Sequence, residues 1–202
     1  VRDYEERERA RRQDVWAVPI HLRLSDGLKE LKPGEADTVI IAGMGGELII
    51  KILDEGRHVW DSVKQFVLSP QSDLDKVRRY LAAHGFAIED EAMVKDEGKY
   101  YTVMSVKRGF MEYESQAHYL YGKILIDKKD VILREYLGRE MLRIEKILVS
   151  LQAKDGITDT ETRAEARISR QKELSSAKTD LFALVLMRPY FFSNASYRAF
   201  KL

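Results

Sequence analysis

The sequence predicts an α/β fold, in which a Rossmann-like sheet built from βα units and closed by an antiparallel hairpin is followed by an α-helical, coiled-coil-like hairpin. Three observations carry this expectation. "DTVIIAGMGGELIIKILDEG" (residues 37–56) and "QFVLSPQSDLDKVRRYLAAHG" (residues 65–85) each run from an apolar strand through a turn into an amphipathic helix. "FAIEDEAMV" and "YYTVMSVKRG" flank the Gly-containing turn "KDEGK", the pattern of a hairpin. Beyond about residue 115 strand signals cease and long stretches rich in Lys, Arg, Glu and Leu begin.

Taken in order, the charged opening "VRDYEERERARRQD" has helical composition but little apolar face of its own. "AVPIHLRLSDGL" alternates through Ile20, Leu22 and Leu24 and breaks at Ser25, Asp26 and Gly27, which predicts a short strand and a turn. Pro33 and Gly34 mark a loop, and "TVIIAG" is a continuous apolar run of the kind found in central parallel strands buried on both faces. Leu48, Ile49, Ile52 and Leu53 mark one face of the following helix, with Gly56 at its C-cap. Leu74, Val77 and Leu81 do the same for the second helix, which should end at Gly85. Leu133, Leu137, Met141, Ile144, Leu148 and Leu151 are spaced by threes and fours, the seam of a long helix packed along another. "QAKDGITDT" interrupts it, and Thr158 with Glu161 has capping-box spacing. Ile168, Leu174, Ala177, Leu181 and Leu184 form a second seam that Pro189 should end, which makes an antiparallel αα hairpin the simplest solution. The division expected is a Rossmann-like unit over residues 1–112 and a helical hairpin with an aromatic and basic tail over residues 113–202.

Composition narrows the function classes. The 202 residues are 45% hydrophobic and 33% charged, enough for a substantial core. The net charge of +1 means that a nucleic-acid partner must be met by a local basic patch. With no cysteine, disulfides, thiolate metal sites and cysteine nucleophiles are excluded, which fits a cytoplasmic protein. No apolar run reaches the roughly 20 residues of a membrane span. His21, His58, His84 and His118 are scattered without metal-ligand spacing, so no metal is proposed.

The glycine turn is the chemical focus. Gly43, Gly45 and Leu48 match the first two glycines of a dinucleotide fingerprint and miss the third. A turn from a parallel strand into a helix carries backbone N–H groups to the C-terminal edge of the sheet, where α/β proteins bind ligands. An NAD site would want an acid closing the next strand, but Ser69, Pro70 and Gln71 come first and Asp73 only later. An acid after the preceding strand, here Asp26, can accept the exocyclic N–H of an adenine, or simply make an Asx turn before Gly27.

"SDGL", "ADTVIIAGMGGELIIKIL", "LSPQSDLDKVRRYLAAHGFAIEDE" and "KYYTVMSVKRG", in this order and at these distances, resemble the bacterial tRNA (adenine(22)-N1)-methyltransferase family over residues 20–109. The resemblance implies a class I methyltransferase sheet with a C-terminal helical domain, S-adenosyl-L-methionine as cofactor and tRNA as partner. It also implies cofactor contacts at Asp26, Gly27, Gly43, Gly45 and Gly46. Gly43, Met44, Ser69, Pro70 and Gln71 would shape the pocket of the reacting methyl and the target base. Family members carry an Asp- and Gly-containing loop after their first strand, and no such segment follows Val1 here; nor is an acid closing a second strand identifiable. We therefore read the chain as N-terminally incomplete and expect it alone to bind S-adenosyl-L-methionine poorly or not at all.

For RNA, Lys128, Lys129, Arg134, Arg139, Arg143 and Lys146 on the first long helix, and Arg163, Arg167, Arg170 and Lys172 on the second, are candidate phosphate contacts. Acids interleave them, so a solvated helix face with i,i+4 pairs is the alternative. The tail "RPYFFSNASYRAFKL" mixes aromatics with Arg188, Arg198 and Lys201 and suits either base stacking or packing. The rival functions are an NAD-linked oxidoreductase using the same glycine turn and a non-catalytic helical interaction protein with a residual Rossmann half.

Overall fold

The computed structural model describes residues 20–152, and its centre is a four-stranded sheet in the order β1-β2-β4-β3. Strand β1 (Thr38–Met44) pairs in parallel with β2 (Gln65–Pro70). The connection between them is helix α1 (Gly46–Glu55) and a short turn of 3-10 helix, Arg57–Val59. Helix α2 (Leu74–Ala83) then leads to β3 (Phe86–Asp96) and β4 (Lys99–Arg108), an antiparallel hairpin whose inner strand β4 lies antiparallel to β2. The expected βα–βα–hairpin order is therefore present. The hairpin turns on Glu97 and Gly98, both at positive φ (46° and 79°), which is the backbone that a two-residue turn matching the strand twist demands.

Alternation decides which face is covered. Val39, Ile41, Phe66, Leu68, Met104 and Val106 point to one side, where Ile49, Ile52 and Leu53 of α1 and Val77 and Leu81 of α2 close a single apolar core. Trp60 seals its lower end, donating its indole N–H to the Leu53 carbonyl at 2.9 Å and meeting Phe86 edge to face. Two sequence expectations are corrected here. The run "TVIIAG" is not buried on both faces, since Ile40 is 70% exposed, and among the described residues β1 is an edge strand with no neighbour beyond it. Ile20 to Leu24 form no strand, because a strand needs a hydrogen-bonding partner and β1 offers them none; Ile20, Leu22 and Leu24 are exposed.

Beyond the hairpin come α3 (Gln116–Tyr121), α4 (Lys123–Lys128) and α5 (Val131–Gln152). Ser115 caps α3 by accepting the His118 N–H, and Asp130 accepts the N–H groups of Ile132 and Leu133 at the start of α5. The predicted seam is buried at Leu133, Leu137, Met141 and Ile144. Met93 of the hairpin joins Leu125, Leu133, Leu137 and Ile144 in a second core, so the hairpin is shared by sheet and helices. The second helix of the expected αα hairpin, with Thr158, Glu161 and the seam from Ile168 to Leu184, lies outside the described residues. Among those described, no helix is long and apolar enough to cross a membrane.

One buried ion pair ties the helices to the sheet. Arg78 and Glu91 are 0% and 3% exposed, with Arg78 Nε 2.9 Å from Glu91 Oε1. The same guanidinium donates to the carbonyls of Tyr119 (2.7 Å) and Leu120 (3.1 Å) at the end of α3. Gly122 makes this approach possible. A Cβ there would stand 2.5 Å from Glu91 Oε2, and its φ of +91° is one that side-chain-bearing residues rarely adopt.

Candidate functional site

Two loops meet at the C-terminal edge of the sheet. The first, Gly43 to Gly46, leads from β1 into α1; the second, Gln71 to Asp73, leads from β2 into α2. They are stitched by backbone hydrogen bonds, the Gln71 N–H to the Met44 carbonyl at 2.9 Å and the Gly46 N–H to the Ser72 carbonyl at 3.0 Å. Each glycine of the first loop has its own reason. Gly43 adopts φ +78° with open space where a Cβ would stand, so its backbone is left uncovered. At Gly46 a Cβ would collide with the Ser72 and Asp73 carbonyls, at 2.5 and 2.8 Å. Gly45 lies 3.1 Å, measured from its would-be Cβ, from the Ser72 hydroxyl.

The structure thus brings Gly43, Met44, Gly45 and Gly46 together with the loop that follows Ser69 and Pro70. Met44 is 36% exposed at the rim and Gln71 is exposed. Ser69 is half-buried, whereas Pro70 is buried and acts by directing the chain. Asp26 and Gly27 are placed elsewhere, with Gly27 against Ile52 in the C-terminal half of α1, away from the glycine loop at its N-terminus. Asp26 is paired with Lys29 at 2.5 Å, a hydrogen bond that holds its carboxyl below the usual range.

Four further residues, Glu47, Ser72, Asp73 and Lys76, also belong to this edge. Asp73 precedes α2 in the N-cap position but sits at φ 52°, ψ 38° and makes no cap. Its carboxylate instead accepts the Ser72 hydroxyl at 2.7 Å and pairs with Lys76 at 3.0 Å. Both partners, Ser72 first, hold it below the ordinary carboxylate range. Lys76 also reaches Glu47 on the first turn of α1, so one ammonium spans both loops; these carboxylates, Glu47 first, raise its pKa. An aspartate before an apolar helix reads as an ordinary cap, and nothing in the pattern signals the left-handed backbone.

The basic residues divide. Lys128 is held by Asp90, and Arg139 donates to the Tyr100 hydroxyl at 3.1 Å and the Gly98 carbonyl at 3.4 Å. Tyr100 also donates to Glu135, which pairs with Lys95, so the hairpin tip is fastened to α5. Lys129 closes α4 in a left-handed conformation and Arg134 is exposed. Arg139, Arg143 and Lys146, with Leu142 and Ile147, line a groove of about 390 Å³ along α5. Arg163, Arg167, Arg170, Lys172 and the tail cations lie outside the described residues.

Comparison with known proteins adds a family. A family model described as tRNA (adenine(22)-N(1))-methyltransferase matches residues 11–174. The tRNA (adenine(22)-N(1))-methyltransferase of Bacillus subtilis is 31% identical over 133 residues, covering 63% of this chain and 56% of that protein. The chain therefore spans little more than half the length of this curated relative. Streptococcus pneumoniae Sp1610, described as a putative tRNA (m1A22) methyltransferase, shares the fold at a TM-score of 0.74 and 23% identity, over 91% of this chain and 75% of that one. Its crystal structure in complex with S-adenosyl-L-methionine superposes at a TM-score of 0.67 and 24% identity, over 81% of this chain and 67% of that one. The crystal structure of the B. subtilis M1A22 tRNA methyltransferase TrmK does so at 0.65 and 27% identity, over 81% and 69%. With the family model matched over most of its length, and with the sheet order and glycine loop in place, the chain belongs to the tRNA (adenine(22)-N(1))-methyltransferase family.

Proposed function

We propose that this protein methylates N1 of an adenine in tRNA, adenine 22 by family membership, with S-adenosyl-L-methionine as donor and in the cytoplasm. The observation that carries the reading is the pair of stitched loops at the sheet's C-terminal edge, in a chain matched by the family model over residues 11–174. The open backbone at Gly43 fits a flat or weakly polar group. Among the described residues around this edge, Glu47 and Asp73 are both engaged by Lys76, so the carboxylate for a cofactor ribose is not found there. We assign the methyl-and-target side of the site to these two loops.

S-adenosyl-L-methionine, when bound, supplies an electrophilic methyl: the N1–C bond forms, the C–S bond breaks with its electron pair passing to sulfur, and the positive charge moves to the methylated adenine. No strong base is required, since N1 of adenine carries a lone pair. The protein's task is alignment, and restricting the reactants to a near-attack geometry supplies much of the rate. Gly43 presents open backbone to the base, Gly45 and Gly46 let the two loops close on each other, Met44 offers an apolar rim, and Ser69, Pro70 and Gln71 set the neighbouring wall. The target adenine is extruded from its helix to reach this pocket. Phosphates are met along α5 at Arg134, Arg143 and Lys146, and on the following segment at Arg167 and Arg170.

The test is incubation of the full-length gene product with labelled S-adenosyl-L-methionine and bulk tRNA, followed by nucleoside analysis. Label in 1-methyladenosine is expected. Unlabelled tRNA in the presence of folded protein overturns the reading.

A further inference from the structure

The behaviour of Asp73 calls for a reason beyond folding. At the start of a helix, aspartate ordinarily lies in the extended region and accepts a backbone N–H of the first turn, and losing such a cap costs about 1 kcal/mol. Asp73 forgoes this and occupies the left-handed region, at φ 52°. Its two oxygens are committed to side chains, one to the Ser72 hydroxyl at 2.7 Å and the other to Lys76 at 3.0 Å. Strained backbone of this kind persists where surrounding structure over-determines it, and such positions cluster at functional sites. Ser72 is not remote from the chemistry, because its Oγ stands 3.1 Å from where a Cβ of Gly45 would be, at the face of the glycine loop.

The chemistry of this chain of contacts has a direction. An aspartate paired with an ammonium is ionised and can only accept, so the hydroxyl proton of Ser72 must go to Asp73. A free serine hydroxyl donates or accepts as its neighbour requires. This one has its proton already spent, and offers only lone pairs toward the loop. The Watson–Crick edge of adenine presents beside N1 an exocyclic amino group, a donor; guanine presents at the same place a carbonyl oxygen, an acceptor. An acceptor-only hydroxyl favours the first and opposes the second.

We propose that Ser72 reads the exocyclic amino group of the target adenine, and that Asp73, held by Lys76, is a positioning residue that fixes Ser72 as an acceptor. This deepens the methyltransferase reading and rests on it. Ser72 is exposed in the free protein, and the bound base covers it, so an analogue lacking the N–H leaves the covered acceptor without a partner and binds less well.

The experiment uses the full-length gene product and two versions of one tRNA, one with adenosine at the methylated position and one with purine riboside, which keeps N1 but has hydrogen in place of the amino group. The ratio of kcat/KM for the two is measured under single-turnover conditions. The wild type should prefer adenosine by about tenfold, the worth of one hydrogen bond, on top of the lower intrinsic nucleophilicity of a purine N1 that lacks the electron-donating amino group. S72A and D73G should each remove most of that tenfold, by slowing adenosine far more than purine. D73G is informative because glycine adopts φ 52° without strain, which offsets the loss of the exposed contacts to Lys76 and Ser72, so its melting temperature should stay close to that of the wild type. A purely structural role for Asp73 predicts that both substrates change together, or that neither does. A wild-type ratio in S72A and D73G overturns the proposal, as does a wild type indifferent to the amino group, with methyl transfer itself intact. A wild type that labels neither tRNA overturns the methyltransferase reading and this proposal with it.

Discussion

Replacing Arg78 by methionine tests whether the buried ion pair holds the helices to the sheet. The substitution keeps an unbranched apolar stem but leaves the Glu91 carboxylate, 3% exposed, without its counter-charge. Removing one partner of a buried pair costs about 3–5 kcal/mol. The carbonyls of Tyr119 and Leu120 also lose donors at 2.7 and 3.1 Å. Each such loss is worth about 1 kcal/mol where water does not replace the donor. A total of about 5–7 kcal/mol consumes much of the roughly 5–15 kcal/mol available to a folded domain. At about 2–4 °C per kcal/mol for a chain of this size, the melting temperature should fall by at least about 10 °C. The control is R78M/E91M, in which no buried charge remains; apolar replacement of a complete buried pair is close to neutral, so the double variant should recover most of the loss. Urea denaturation followed by circular dichroism gives both differences. A single variant within about 1 kcal/mol of wild type, or a double variant no more stable than the single, refutes the assignment.

The other predictions concern the loops, acid stability and RNA. G46A should abolish methyl transfer and cost about 1–3 kcal/mol, since its Cβ would press on two backbone carbonyls; G43A, at positive φ in open space, should cost only about 1–2 kcal/mol of strain. Thermal melts with parallel methylation assays compare them, and equal effects would count against the close packing described at Gly46. Glu35 accepts hydrogen bonds from Arg23 first and then from the Lys32 N–H, which lower its pKa from 4.5 to about 2. Between these values the unfolded chain takes up a proton that the folded chain does not, so this contribution is complete above pH 4.5 and is lost as the pH falls through about 2. E35Q should accordingly flatten the acid limb of a stability-against-pH curve, and an unchanged limb would contradict the pairing. For tRNA, R143A/K146A should lower the slope of log affinity against log salt by between about one and two, since Arg143 lies only loosely paired at 3.5 Å from Glu140, whereas K128A, whose ammonium is held closely by Asp90, should leave it almost unaltered. Filter binding across salt concentrations measures this, and a steep effect of K128A would return Lys128 to the interface.

How far the sequence foretold this structure depends on the range over which each signal acts. The βα units were readable because strand, glycine turn and amphipathic helix lie within one short stretch, as at residues 37–56. The hairpin was readable for the same reason, Glu97 and Gly98 being local turn chemistry. The burial of β1 was misread because apolar runs report what a strand can bury, whereas its actual cover depends on neighbours; Ile40 has the composition of a core residue and lies at 70% exposure. Ile20, Leu22 and Leu24 erred in the same way, with strand periodicity but no strand to pair with. In α2 the pattern marks Leu74, Val77 and Leu81 and gives no sign that Arg78 is buried beside them. Its burial depends on Glu91 and on carbonyls about 40 residues away, which no local periodicity encodes.

Helix α2 is consequently more than a spacer between strands. Its first residues carry the strained Asp73 and the Lys76 that spans the two loops; a turn and a half further on, Arg78 grips the end of α3. A ten-residue helix packed through Val77 and Leu81 moves as a unit, since interiors at crystal-like density do not absorb local shifts. The hairpin supplies a second fixed connection, running roughly 10 Å beyond the end of β2 at about 3.3 Å per residue and held against α5 by Glu135 and Arg139. Sheet edge and helices are thereby set in one geometry by two independent ties. That is what the proposed reaction needs, because phosphates gripped along α5 place the extruded base only if α5 keeps a fixed distance from Gly45 and Ser72. On this reasoning R78M/E91M, stable but lacking the grip on Tyr119 and Leu120, should bind tRNA almost normally and methylate it more slowly.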